Sequence, residues 1–499
     1  MKEESFEKEK LGEKVHWRQV FEIFVLSFFS SLILFFFFNK RESIFVPTDS
    51  DEHLIVAKFF LEKLSFSGRL GESGSFFVPF TYSRIGFSIF VSFFLFISRL
   101  FFPNYSQSDQ MIFTSISSTF FSLFLLSFSF FLFARKKEIK KEFFPILFLL
   151  FCFSIYFLDA VAFVSNLFSA SLVFFFLLAE KRFLKSLFSF LSIVTRFETS
   201  VFIFLSVLFF KKGKKVREII EFCLPGVFFI LLLGFKYSNL SIYVRFGIER
   251  VLFFIPLASF LFFVFALEMK KLNNPDLSFL FLSISSFVFY FKNFLLDKRY
   301  SIFSVILFCF FLVKFIQERF EKKKNKNLDM FLSLFQLLGI FSISIASFLS
   351  FRKYGFKFRF QEFFSGFLRE SPYSLMKKME NCGFESKKEA IVFALPYGET
   401  FHIFSGFNAI ALKNYPTVKD KRIECDSLKK YFLVENESLY FHVKKEAIEK
   451  ILDKKSPICK FSDFSIQSWR NSEKFLVTET SIYKITCDEV KSLSWNIKV

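Results

Sequence analysis

The sequence predicts an α-helical polytopic membrane protein of about eleven spans, with a C-terminal extracytoplasmic α+β domain. Three observations predict it. Hydrophobic residues make up 53% of the 499, and Phe alone supplies 94 of them. They fall in blocks, many of about 16–24 residues, the length that crosses a bilayer core. The net charge is +20, and the basic residues sit in short clusters between the blocks, as in cytoplasmic loops. This composition excludes disorder, a collagen-like structure and a coiled coil, and the long blocks argue against a soluble enzyme. Binding to nucleic acid would need the basic residues to line one exposed face, so membrane lipids, and no nucleic acid, are the expected partners.

Residues 1–19 are polar and charged and read as a cytoplasmic tail. The first apolar block, Val20 to Phe38, is long for a signal-peptide core and no small-residue cleavage site follows it, so it reads as an uncleaved first helix. Further blocks lie at 85–102, 111–134, 143–158, 161–179, 186–210, 217–235, 251–267, 277–291, 301–316 and 329–350. The transmembrane region is thus 20–350, with a first external loop at 39–110. After Ser350 the charge density becomes ordinary, and 351–499 reads as a soluble domain of about 150 residues, enough for its own core.

Lysine clusters set the topology. The strongest are Arg135 to Lys141, Lys181 to Lys185, Lys211 to Arg217, Lys270-Lys271 and Arg319 to Lys326. If 85–102 spans and 186–210 crosses once, two clusters fall outside. If 85–102 lies in the interface and 186–210 is a hairpin bent at Thr195-Arg196-Phe197-Glu198, every cluster falls inside, as the positive-inside rule requires. The second arrangement is preferred. It also removes Arg196 from mid-span, where it costs about 2.5–3.5 kcal/mol by insertion scales. Its arms are short for the bilayer and need shelter from neighbouring helices.

In the external domain, Ala390 to Pro396 and Phe401 to Phe404 read as strands. Tyr431 to Val443 reads as a hairpin around Asn436-Glu437-Ser438, and Lys445 to Leu452 as a helix. Cys152, Cys223 and Cys309 lie in spans and read as packing residues. Cys382, Cys425, Cys459 and Cys487 all lie in the external domain, where two disulfides with three possible connectivities, or free buried thiols, are both open.

The chemistry-bearing residues begin just after the first span, at Asp49-Ser50-Asp51-Glu52-His53. The plain reading is helix capping by Asp49 or Ser50, with Asp51 and Glu52 favoured by the helix dipole. The sharper reading is a carboxylate that takes a proton from an acceptor hydroxyl. The two are compatible. Glu72 and His53 could join Asp51 around a divalent metal; a surface turn and a solvated His are the plainer account. There is no P-loop, GxGxxG, CxxC or HExxH motif, and the Asn239-Leu240-Ser241 sequon carries little weight.

A first span followed by an external loop in which Asp-Glu opens a helix (DEHLIVAKFFLEK) resembles the GT-C membrane glycosyltransferases, in particular the branch of protein mannosyltransferases and lipid A aminoarabinose transferases. Asp159 in FLDAVAF, the Arg at the bend Thr195-Arg196-Phe197-Glu198, and Lys298-Arg299-Tyr300 before a late span resemble further features of that branch. The usual Pro-Pro or Pro-Leu step is only Val78-Pro79-Phe80 here, a departure on the acceptor side. The resemblance implies an inverting transfer of a sugar from a polyprenyl-phosphate donor to an extracytoplasmic acceptor. It implies Asp51 as base with Glu52 as helper, and Arg299, Lys298, Tyr300 and Arg196 at the donor phosphate. Asp159, Glu198, His53 and Asp49 are then expected at the substrate. The plain account of Lys298 and Arg299 is snorkelling at the interface. Two other classes compete: a transporter, which calls for mid-membrane polar residues and often a repeat, and a non-enzymatic scaffold whose external domain binds a partner.

Overall fold

Apolar blocks bounded by charged or Pro-containing turns become helices, and the alternating stretches near the C-terminus become strands. A computed structural model describes residues 17–37, 50–66, 68–69, 76–77, 85–105, 107–157, 164–196, 199–200, 203–204, 207, 215–236, 302, 306, 309–310, 313–314, 317, 381–382, 390–394, 408–412, 430–435, 444–453, 455–464 and 477–495. Most of these are helical. Among the described residues, two helical stretches are long and apolar enough to cross a bilayer, Trp17–Phe35 and Asp109–Lys136, and two shorter apolar helices are Ile85–Phe101 and Val164–Leu178. The blocks at 251–267, 277–291 and 329–350 lie outside the described residues. The chain divides into two compact units, Met1–Lys40 with Thr119–Phe356, and Arg41–Ser118 with Lys357–Val499.

The first unit is helical. It contains α1 (Trp17–Phe37), most of α4 (Gln107–Lys136), α5 (Phe144–Phe157), α6 (Val164–Leu178), α7 (Arg182–Thr195) and α8 (Lys215–Lys236). Residues 302, 306, 309–310, 313–314 and 317 are helical as well. Aromatic contacts give the directions. Phe24 meets Phe124 at 5.1 Å and Phe28 meets Phe120 at 5.7 Å, so α1 and α4 run antiparallel. Phe175 stacks on Phe188 at 5.4 Å, and Ser169 Oγ lies 3.5 Å from Ser192 Oγ, so α6 and α7 are antiparallel too. The C-terminal ends of α4 and α6 meet, where Lys136 Nζ donates to Leu178 O at 3.0 Å and to Glu180 at 2.6 Å.

The pair α7 and α8 behaves differently. Arg182 pairs with Glu221, Ser186 Oγ donates to Glu221 at 3.3 Å, and Ser189 Oγ donates to Phe222 O. Further along, a Cβ built on Gly226 would sit 2.8 Å from Ile193 Cβ. Contact positions rise together in both helices, so α7 and α8 run parallel. Glycine at 226 is what allows this close approach, since even a methyl group there would collide with Ile193. Parallel neighbours in sequence require the chain between them to return. Helix α7 ends at Thr195, Arg196 is extended (φ −150°, ψ 109°), and helical residues resume at Thr199. This is the bend expected at 195–198, and a single straight span over 186–210 does not fit these contacts.

One end of this unit therefore collects the start of α1, the end of α4, the end of α6, and the starts of α7 and α8. The basic residues Arg135 to Lys141, Lys181, Arg182, Lys185 and Arg217 belong to that end. The turn after α4 places Glu138 at φ 64°. Gln317 holds it: its Nε2 donates to Glu138 O at 3.1 Å, and its Oε1 accepts from the Lys140 N–H at 3.0 Å. Gln317, two residues before Arg319, thus joins the same end.

The interior of this unit holds Leu, Ile and Phe, such as Leu126, Phe130, Phe151 and Phe174, together with many serines, and part of its surface is apolar. Ser27, Ser30, Ser31, Ser122, Ser127, Ser129, Ser169, Ser171, Ser189 and Ser192 are buried, while Ile220, Leu224, Phe228 and Leu232 form an outward stripe along α8. The buried hydroxyls are satisfied locally. Ser27 donates to Ile23 O at 2.6 Å, Ser31 to Ser27 O at 2.7 Å, and Ser127 to Leu123 O at 2.9 Å. Small residues turned inward let helix backbones approach closely, the packing used where lipid is the solvent.

The second unit holds α2 (Ser50–Lys63), α3 (Ile85–Phe101) and the C-terminal domain. A short antiparallel pair, β1 (Gly68–Arg69) and β2 (Phe76–Phe77), lies between α2 and α3 in the chain. The C-terminal domain carries a five-stranded mixed sheet in the order β4-β3-β5-β7-β6. Its strands are β3 (Ala390–Ala394), β4 (Asn408–Leu412), β5 (Tyr431–Glu435), β6 (Cys459–Phe464) and β7 (Val477–Ile485). Strand β3 pairs parallel with both β4 and β5, and β7 pairs antiparallel with β5 and β6. The strand expected at Ala390 and the helix expected at Lys445 to Leu452 (α9) are both present. Phe401 to Phe404 lies outside the described residues. The hairpin expected over Tyr431 to Val443 is not how β5 pairs, because β3 and β7 occupy its two sides. A central strand buried on both faces, as Tyr431, Phe432, Leu433 and Val434 are, reads as a continuous apolar run from either partner type.

Cys382 and Cys459, 77 residues apart, form a disulfide, and Cys487 is disulfide-bonded as well. Cys425 lies outside the described residues. Cys152, Cys223 and Cys309 are free and buried, as expected of packing residues. Helix α10 (Cys487–Trp495) opens with a reciprocal cap, in which the Thr486 N–H donates to Glu489 at 2.7 Å and the Glu489 N–H donates to Thr486 Oγ1 at 3.3 Å.

Candidate functional site

Helix α2 starts at Ser50, so Asp51 and Glu52 lie in its first turn. The four leading N–H groups of a helix lack internal partners, which makes that turn a favourable place for carboxylates. His53 follows directly and is 3% exposed. Its Nδ1 lies 2.8 Å from Ser88 Oγ of α3, and its ring meets Phe87 edge-on at 4.7 Å. The plain expectation of a solvated His is therefore replaced by a buried one. Leu54, Ile55, Val56 and Ala57 are buried too. At the other end of the pair, Arg99 donates to Glu62 at 2.8 Å. The contacts 53 to 88 and 62 to 99 make α2 and α3 parallel, tied at both ends. Between them, burial and then the nearby Arg99 and Lys63 lower the pKa of Lys58 against the opposing pull of Glu62.

Helix α3 has 17 residues, about 26 Å at the helical rise. Its buried face carries Ser88, Ser92 and Ser98, and its outward face carries Ile89, Phe93, Phe96 and Leu100.

In the helical unit the site residue is Arg196. It is 2% exposed and caps the C-terminus of α7. Its N–H donates to Ser192 O at 2.8 Å, and its carbonyl accepts from the Thr199 N–H at 3.0 Å and from Thr199 Oγ1 at 2.6 Å. Ser192 Oγ donates to Thr199 Oγ1 at 2.9 Å. A buried guanidinium is always charged and must be held by hydrogen bonds or an anion. Ser169 Oγ, Ser192 Oγ and Thr199 Oγ1 form a chain of hydroxyls beside the Arg196 backbone. Sequence reading singled out Arg196 but missed Ser169, Ser192 and Thr199. Their signal was the small polar residues at helical spacing on either side of the bend.

Arg196 lies at the end of the helical unit opposite the basic clusters. Phe157 and Val164, which flank Asp159 in the chain, end α5 and start α6. Asp49, Glu72, Asp159, Glu198, Lys298, Arg299 and Tyr300 lie outside the described residues. Asp51 and Arg196 belong to different units. Among the described residues, no group of three or more His, Cys, Asp or Glu is placed to hold a metal ion. No family model, curated protein or solved structure matches this chain.

Proposed function

We propose that this protein is an integral membrane glycosyltransferase of about eleven spans, using a polyprenyl-phosphate-linked sugar as donor and an extracytoplasmic protein, glycolipid or envelope glycan as acceptor. The observation that carries the reading is a buried Arg at a helix break, its backbone bonded to Ser192 and Thr199, in a unit whose described basic residues gather at the opposite end. By the positive-inside rule the clustered end is cytoplasmic, which makes the Arg196 end external. Inward serines and outward Phe and Leu support burial of this unit in the plasma membrane. The Cys382–Cys459 bond supports an oxidising compartment for the C-terminal domain. The tie of α3 along the polar-ended α2, by His53–Ser88 and Arg99–Glu62, supports an interfacial position for the pair.

In this reading Asp51, helped by Glu52, takes the proton of an acceptor hydroxyl. The hydroxyl oxygen bonds to the anomeric carbon as the bond from that carbon to the phosphate oxygen breaks. The electron pair leaves with the phosphate, and configuration inverts. Arg196, with Arg299, Lys298 and Tyr300, faces the charge that grows on the departing phosphate, Arg being suited to bidentate contact. Asp159, Glu198 and Asp49 contact the substrates. A divalent metal could join Asp51 and Glu72. The test is transfer of labelled sugar from polyprenyl-phosphate lipids to membranes, comparing the wild type with Asp51→Asn. The expected loss is about 10²–10⁴-fold, and equal transfer by both removes Asp51 as the base.

A broken helix with a buried charge is also how transporters bind anions, and it is the one observation that favours that second reading. Uptake of an anionic solute by sealed vesicles, abolished by Arg196→Gln without any sugar transfer by the wild type, selects it.

A further inference from the structure

We propose that His53 is a positioning residue, whose hydrogen bond to Ser88 sets the rotation of α2 about its own axis and so the direction from which Asp51 and Glu52 act. This rests on the glycosyltransferase reading for its catalytic consequence, but its structural content stands apart from it. The first turn of a helix is the part most prone to fray, because its N–H groups have no internal partners. A carboxylate base placed there works only if that turn is held by something else. His53 lies one residue past Glu52 and two past Asp51, hence about 200° round the helix from Asp51. A helix anchored at position 53 therefore has the azimuth of position 51 determined.

The anchor is specific. His53 is 3% exposed, Nδ1 is 2.8 Å from Ser88 Oγ, and Phe87 closes on the ring edge-on at 4.7 Å. The second tie between the two helices, Arg99 to Glu62, is nine residues further along and exposed; it sets the far end of α2, while His53, with Leu54 to Ala57 buried after it, holds the end that carries the carboxylates. Within that packed face the hydrogen bond adds one directional constraint that an apolar contact at position 53 lacks. Displacement by about 1 Å of a catalytic group costs up to about 100-fold in rate.

The experiment uses the full-length protein in detergent or nanodiscs with three variants, His53→Ala, His53→Asn and Ser88→Ala. Asn retains a hydrogen-bonding atom near the position of Nδ1. In sugar transfer, His53→Ala and Ser88→Ala are expected to lose about 10–100-fold in kcat with KM within about twofold, and His53→Asn to recover most of it. Hydrogen exchange of the amides of residues 54–57, the first with helical acceptors, is expected to speed up at least about tenfold in Ser88→Ala, with the amides of α7 unchanged. Unchanged exchange in Ser88→Ala, or an Asn variant no better than Ala, overturns the proposal. If the wild type transfers no sugar at all, the glycosyltransferase reading fails, and hydrogen exchange alone still decides whether His53 and Ser88 hold the turn. Should His53→Ala fail to fold, Ser88→Ala, which removes one hydroxyl, carries both measurements.

Discussion

The helical unit and the C-terminal sheet domain are built from one chain and both bury apolar residues, but they differ in the serines they bury and in what they expose. In the helical unit, serines point inward and bond to their own helix carbonyls, while Ile220, Leu224, Phe228 and Leu232 point outward. In the C-terminal domain, Tyr431, Leu433, Ile482, Ile448 and Val490 are buried while Lys444, Lys445, Lys460 and Glu479 face outward. Each arrangement suits a different solvent. Hydrophobic burial drives the second in water. It supplies nothing between helices in lipid, where close backbone packing does the work.

Four substitutions would break or sharpen this comparison. The largest effect is expected from Cys382→Ser. The 77-residue separation of the bond makes its removal worth about 4 kcal/mol to the C-terminal domain in the chain-entropy account. Denaturant unfolding of that domain should shift while the helix content of the helical unit stays. Next is Phe228→Arg, on the outward stripe. A lipid-facing position predicts a cost of about 3 kcal/mol in insertion assays, whereas a water-facing position predicts no loss. Third, Gly226→Ala drives a Cβ against Ile193 and should destabilise the α7–α8 pair by about 1–3 kcal/mol, read as a lowered thermal midpoint in detergent.

The smallest effect concerns pH. Burial raises the Glu489 carboxyl pKa, but hydrogen bonds from Lys455 and Thr486 outweigh it, and the net direction is downward. A depressed folded value means stability that is present above the ordinary carboxylate value of about 4.3 and lost as pH falls through the lowered one. Acid unfolding of the C-terminal domain should therefore weaken over that window, and Glu489→Gln should flatten the dependence by about 1 kcal/mol or less.

Several elements were legible in the residues themselves. Helix bounds followed the apolar blocks because a membrane-length run ends where charges or Pro begin. The break at Thr195 to Glu198 was visible because a central Arg does not sit comfortably in a span. Helix α9 was visible because Ile448 and Ile451 fall on one face of an otherwise charged stretch. The cap at Thr486 was equally readable, as a Thr followed three residues later by Glu, and was passed over. The pairing of β5 was not readable, since an apolar run followed by Asn-Glu-Ser fits a hairpin as well as a central strand. His53 among carboxylates looked solvated because its partner Ser88 lies 35 residues away.

By itself, the sequence determined what each segment is. The apolar blocks dictate helices, and the Lys clusters mark their ends. Local periodicity carries that information because it acts over one or two turns. Only the tertiary structure decided which segments meet. The parallel run of α7 and α8, the capture of the α4–α5 turn by Gln317, the sheet order β4-β3-β5-β7-β6 and the His53–Ser88 bond are all settled by the fit of surfaces far apart in the chain. Such fits depend on shape and on paired donors and acceptors, and a glycine at 226 or a serine at 88 shows its meaning only once its partner is in place.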